Sequence, residues 1–260
     1  MSIFYWVVLM FLVTYEPVYG YFDYQRFKGK VQQNPLERVK FYKKVMFGLW
    51  IPTLLILAVT AFGPLNFQDI GLKGITINTS TLGPWVTYFS FGLAGIYIVS
   101  LIYYLVGSKV SQKMRTEIAE LKKSEHEKIA FKDILPHSQE DKRVWTFVSW
   151  TAGITEEIIY RGFLIFAIAQ LFPVLSIWPV LIISSILFGL AHTYQGFLNV
   201  IKTSLFGLFF AILYIGFDSI VPLMILHFLI DYVGRLGMTR DETIKEEFQL
   251  PIIPIVYKTW

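Results

Sequence analysis

Long uncharged runs alternate with polar ones along this chain. The first charge is Glu16, so residues 1–15 form an apolar run. Residues 45–68 carry no charge, and neither do residues 74–108. Past Arg161 no Lys, Arg, Asp or Glu appears until Lys202. A membrane-spanning helix takes about 20 mostly apolar residues, so each run is a candidate span. The stretch after Arg161 is too long for one helix, and Pro173 and Pro179 mark its break. The pattern predicts spans over 1–15, 45–68, 84–107 and 143–172, a helix ending near 192, and spans over 198–216 and 219–236. The expected fold is an all-α polytopic transmembrane bundle of about seven spans. No basic segment precedes the first run and no small-x-small motif follows it, so it reads as a retained span rather than a signal peptide.

Composition agrees. Of 260 residues, 55% are hydrophobic and only 16% charged, against roughly 25% charged in soluble domains. Mean hydropathy is +0.54. These values exclude a soluble globular domain, a disordered chain and a nucleic-acid-binding module. The net charge of +4 needs no nucleic acid, because basic loops on one membrane face produce it. Residues 21–44 hold Arg26, Lys28, Lys30, Arg38, Lys40, Lys43 and Lys44 against Asp23 and Glu37. Residues 109–143 are also basic, while 63–82 carry only Lys73 and Asp69. The positive-inside rule then puts the N-terminus outside. The 109–143 segment is expected to be partly helical and solvated. The expected organisation is one integral membrane domain: N-terminal spans with basic cytoplasmic loops over 1–142, a four-span core over 143–236, and a cytoplasmic tail over 237–260. Within the tail, 248–257 is apolar but too short to span, and is expected at the membrane surface. No cysteine is present, which removes disulfides, thiolate metal sites and a cysteine nucleophile.

Ionisable groups inside spans cost about 2.5–3.5 kcal/mol each on insertion scales, so each needs a reason. Six stand out: Glu156, Glu157, Arg161, His192, His227 and Asp231. Glu157 and Arg161 are four apart and can pair on one helix face. Glu156 points about 100° away and is left free for proton transfer. Gly153 and Thr155 allow a change of direction just before these carboxylates. His192 follows Phe188-Gly189-Leu190-Ala191, whose small residues permit a close helix approach. His227 and Asp231 lie one turn apart in an apolar run and can form a buried pair. A bundle with these groups suits water activation for hydrolysis or proton-coupled transport. The chain has no His-Glu-x-x-His, no Gly-x-Gly-Asp and no Gly-x-Ser-Gly motif, and no internal repeat of the transporter kind.

Glu-Glu-x-x-x-Arg, Phe-x-x-x-His and His-x-x-x-Asp, in that order on successive spans, resemble the CPBP family. This is the family of CAAX prenyl endopeptidases and bacteriocin-processing or immunity proteins, also called the Abi family. The resemblance covers about 140–236. It implies an intramembrane endopeptidase in which Glu156 activates water, His192 holds and polarises it, and His227 with Asp231 stabilises the oxyanion. Glu157, Arg161 and Phe188 would support the site, and Asp231 would orient His227. The resemblance implies no metal. Should zinc be bound, Glu156, His192 and His227 would be its ligands. The expected partners are membrane lipid and a peptide or membrane-protein substrate, in a prokaryotic cell membrane. The alternative of another class is a non-catalytic scaffold or self-immunity protein with the same fold.

Overall fold

The computed structural model describes residues 2–126 and 131–234. It is a helical bundle, with no strand among the described residues. The tail over 237–260, with its apolar stretch, lies outside them.

The chain opens with α1 (Ser2–Thr14), a π-helical segment (Tyr15–Gly20) and α2 (Tyr21–Val31), forming one continuous helix. Glu16 therefore does not end the helix, although it ends the apolar run. Pro17 explains the wider turn, because it lacks the N–H that an α-helix would use. Next come α3 (Glu37–Phe62), α4 (Pro84–Val110) and the polar α5 (Gln112–His126). The second span ends at Phe62 rather than near residue 68, and it begins within the basic segment. Charge limits the membrane-embedded length of a helix but does not stop the backbone ladder. Gly83, at φ 86°, turns the chain directly into Pro84 at the first helical position of α4.

Then α6 (Gln139–Glu156) runs into a second π segment (Glu157–Leu164) and α7 (Ile165–Leu171). Ser138 caps α6 in a box with Asp141, and Asp141 also accepts from Arg38 Nη1 at 3.0 Å. That ion pair fastens the start of α3 to the start of α6. The bundle closes with α8 (Ile177–Leu190), α9 (Phe197–Phe217) and α10 (Val221–Gly234). The helix break near Pro173 and Pro179 is present, between Leu171 and Ile177. Among the described residues, four helices are long and apolar enough to cross a membrane: Ser2–Val31, Glu37–Phe62, Pro84–Val110 and Phe197–Phe217. Two further expected spans are the shorter apolar helices α8 and α10.

Every residue of the Glu157–Leu164 segment is buried. It is the axis of the fold, and residues of α1, α3, α8 and α9 share its hydrophobic cluster. The connector after α3 is strapped over the α9–α10 turn. Thr76 and Asn78 donate to the carbonyls of Phe217 and Gly216, and Ser219 Oγ donates to Lys73 O at 2.7 Å.

No change of direction occurs at Gly153, because α6 continues through it to Glu156. Its missing side chain serves packing instead. A Cβ there would lie 2.8 Å from Met224 O and 3.0 Å from Phe228 N, both backbone atoms of α10. Gly153→Val is expected to push α10 away at a cost of about 1–3 kcal/mol, the usual penalty of overpacking. Thermal unfolding in detergent measures it, and an unchanged midpoint contradicts the packing account. Gly189 plays the matching role between α8 and α9, where a Cβ would sit 2.6 Å from Val200 O.

Candidate active site

The two glutamates stand at the junction where α-helix becomes π-helix. Glu156 is the last residue of α6 and Glu157 the first of the π segment. Such wide turns inside helices recur at functional sites, because the inserted residue re-aims its neighbours. Ser184 Oγ on α8 donates to Tyr160 O at 2.8 Å, which occupies a carbonyl of the widened turn.

Glu157 is fully buried and acts as the anchor. Its Oε1 accepts from Arg161 Nη1 at 3.1 Å and from His227 Nδ1 at 2.7 Å. Arg161 in turn lies over two rings, 4.2 Å from the Phe188 centroid and 5.3 Å from that of Phe210. A buried guanidinium is thus held by one carboxylate and two aromatic faces. Phe188 also meets the edges of Tyr160 at 5.1 Å and His192 at 4.9 Å.

The Glu157 bond sets the histidine. A carboxylate only accepts, so Nδ1 of His227 carries the hydrogen and Nε2 points the other way. There it lies 3.8 Å from Glu156 Oε2 and 3.8 Å from Asp231 Oδ2. The sequence reading gave Asp231 the task of orienting His227. The short hydrogen bond goes to Glu157 instead, from a helix 70 positions away in sequence. Asp231 stays at the Nε2 side with a partly exposed carboxylate, while its backbone carbonyl accepts from Trp145 Nε1.

His192 closes the end of α8. Its Nδ1 lies 2.9 Å from Phe188 O, so that nitrogen donates and Nε2 is the free acceptor in a neutral ring. Tyr194 stacks on it at 6.0 Å. Thr193 Oγ1 donates to Pro17 O at 2.8 Å, which pins this turn to the π segment of the first helix.

That link builds a cavity of about 90 Å³, room for several waters. Glu156, Tyr160, Ala191, His192 and Tyr194 form one wall, and Tyr15, Glu16, Tyr19, Gly20, Asp23 and Tyr24 form the wall opposite. Phe41, Val45, Leu49 and Ile134 make it largely apolar, and exposed Lys44 lies at its rim in an ion pair with Asp23. Glu156 Oε2 is buried and has no hydrogen-bond partner among the described residues. The structure thus brings Glu156, Glu157, Arg161, Phe188, His192, His227 and Asp231 into one cluster.

Sequence reasoning missed Glu16, Tyr160 and Tyr194. Glu16 carried a usable signal, a charge inside a hydrophobic helix, but was read only as the end of a span. Among the described residues no three His, Asp or Glu side chains converge as a metal-ligating set. Glu156, His192 and His227 are accordingly not gathered as a three-ligand set in this structure.

Residues 141–233 match the family model for type II CAAX prenyl endopeptidase Rce1-like proteins. No curated relative and no solved structure matches the chain. The match runs from Asp141, in the first turn of α6, almost to the end of α10 and encloses every residue of the Glu157 cluster. Over this core the chain is similar to the type II CAAX prenyl endopeptidases, the family that its motifs resemble.

Proposed function

We propose that the protein is a glutamate-dependent intramembrane endopeptidase that works without a metal. Glu156 takes a proton from a water in the cavity as the water oxygen attacks a peptide carbonyl. His192, with Nε2 free as an acceptor, holds that water. His227, when protonated at both nitrogens, donates from Nε2 to the developing oxyanion, and Asp231 on the same side balances its charge. Collapse of the intermediate breaks the C–N bond, and Glu156 returns its proton to the leaving nitrogen. Glu157 and Arg161 hold His227 in position through Nδ1. The observation that carries this reading is Glu156 Oε2, buried and unpartnered beside His227 and facing a cavity shared with His192.

The apolar, tyrosine-rich walls suit an extended apolar peptide segment rather than a charged one. The rim at Asp23 and Lys44 belongs to the basic segment 21–44, which the positive-inside rule places in the cytoplasm. A substrate would therefore enter from the cytoplasmic membrane face. CAAX-type prenylated C-termini fit that approach, as do signal and bacteriocin-like peptides.

Two measurements test this. Protein reconstituted in lipid vesicles, incubated with a library of apolar peptides, should generate new termini detectable by mass spectrometry. No cleavage of any member would count against the peptidase reading. Metal analysis of active protein should give far less than one zinc per chain, with activity kept after chelation. One equivalent of zinc, lost together with activity, would overturn the metal-free mechanism.

A further inference from the structure

Tyr160 has a hydroxyl that the fold does not use. The residue is 2% exposed, and its hydroxyl oxygen is buried without a hydrogen-bond partner among the described residues. A buried hydroxyl without a partner pays its desolvation for nothing, so a phenylalanine would serve the packing better. The ring itself is well held. Phe188 meets it edge-on at 5.1 Å, and Ser184 fixes its backbone carbonyl. Tyr160 lines the same cavity as Glu156 and His192, one helical turn beyond Glu156 on the shared face. The phenol is thus a rigidly held donor beside the proposed base.

We propose that Tyr160 is a further catalytic residue, whose hydroxyl donates a hydrogen bond to the oxyanion of the tetrahedral intermediate. The proposal rests on the peptidase reading above. As the water oxygen bonds to the carbonyl carbon, the water proton passes to Glu156. The carbonyl π pair moves onto oxygen, and the Tyr160 O–H binds that oxygen without giving up its proton. The carbonyl re-forms as the C–N bond breaks, and Glu156 protonates the leaving nitrogen. A donor that is idle in the free enzyme and bonded only in the transition state lowers the barrier without tightening substrate binding.

The test is Tyr160→Phe, which keeps the ring and removes only the hydroxyl. Turnover number should fall about 10²–10³-fold, the usual loss for one oxyanion donor, with KM changed less than about threefold. The thermal midpoint should stay the same or rise, since no partner is lost. A peptide phosphinate, which mimics the tetrahedral oxyanion, should bind Tyr160→Phe weaker by a similar factor, while a product peptide binds equally. A variant with wild-type turnover and wild-type phosphinate affinity overturns the role. Glu156→Gln run alongside separates the two failures. If Glu156→Gln is inactive and Tyr160→Phe is not, only this inference fails. If Glu156→Gln is active, the glutamate-base mechanism on which this inference rests fails first.

Discussion

Glu156→Gln is expected to lower peptide cleavage by at least about 10²–10⁴-fold while leaving the fold intact. That range is the usual contribution of a positioned general base. The amide has the shape of the carboxylate but cannot take a proton from water. The fold has little to lose, because Glu156 Oε2 makes no hydrogen bond among the described residues and lies 3.8 Å from His227 Nε2. Turnover of purified protein in detergent or vesicles, paired with a thermal unfolding scan, measures both halves. Cleavage within threefold of wild type would remove Glu156 from the mechanism. A collapsed fold with lost activity would instead make it a structural carboxylate.

The second large effect lies five residues on. Arg161→Met should destabilise the protein by about 3–5 kcal/mol, the typical cost of breaking a buried ion pair by removing one partner. The side chains of Arg161 and Glu157 are 1% and 0% exposed, so Glu157 would be left in the apolar axis with only His227 as a donor. The loss should also unmoor His227 and abolish cleavage. A double variant, Arg161→Met with Glu157→Leu, should recover much of the stability, because no charge is then stranded. It should recover none of the activity, because Nδ1 of His227 then has no acceptor. Chemical or thermal unfolding of both variants in one detergent gives the comparison. A single-variant loss under 1 kcal/mol would show that water or lipid headgroups reach this pair.

Much of this architecture is legible before any coordinates. Apolar run length places the helices, since the bilayer sets a minimum length and charge is costly within it. The same cost singles out Glu156, Arg161, His192 and His227, which the fold draws together from α6, its π segment, the turn after α8, and α10. Helix ends are less legible. Glu16 and the basic residues of 37–44 interrupt hydropathy but not hydrogen bonding, so α1–α2 and α3 extend past the apolar limits. The π segments leave no reliable trace either, because residues four apart share a face in both helix types. Glu157 and Arg161 pair as spacing predicts, yet on a wider turn. Partners chosen by tertiary packing escape sequence altogether. Spacing offers Asp231 to His227, whereas burial delivers Glu157 at 2.7 Å. Tyr160 hides for the opposite reason, since an aromatic residue in a membrane helix raises no question until its hydroxyl is found without a partner.

The central claim is that Glu156 cleaves peptide bonds, and a comparison of peptide termini tests it most directly. Cells carrying wild-type protein and cells carrying Glu156→Gln at equal expression would be compared by mass spectrometry of membrane and secreted fractions. The account expects termini that appear only with wild type, clustered in apolar segments near the cytoplasmic membrane face. Identical profiles, with any cellular phenotype still rescued by Glu156→Gln, would contradict it and leave a membrane scaffold with a peptidase fold.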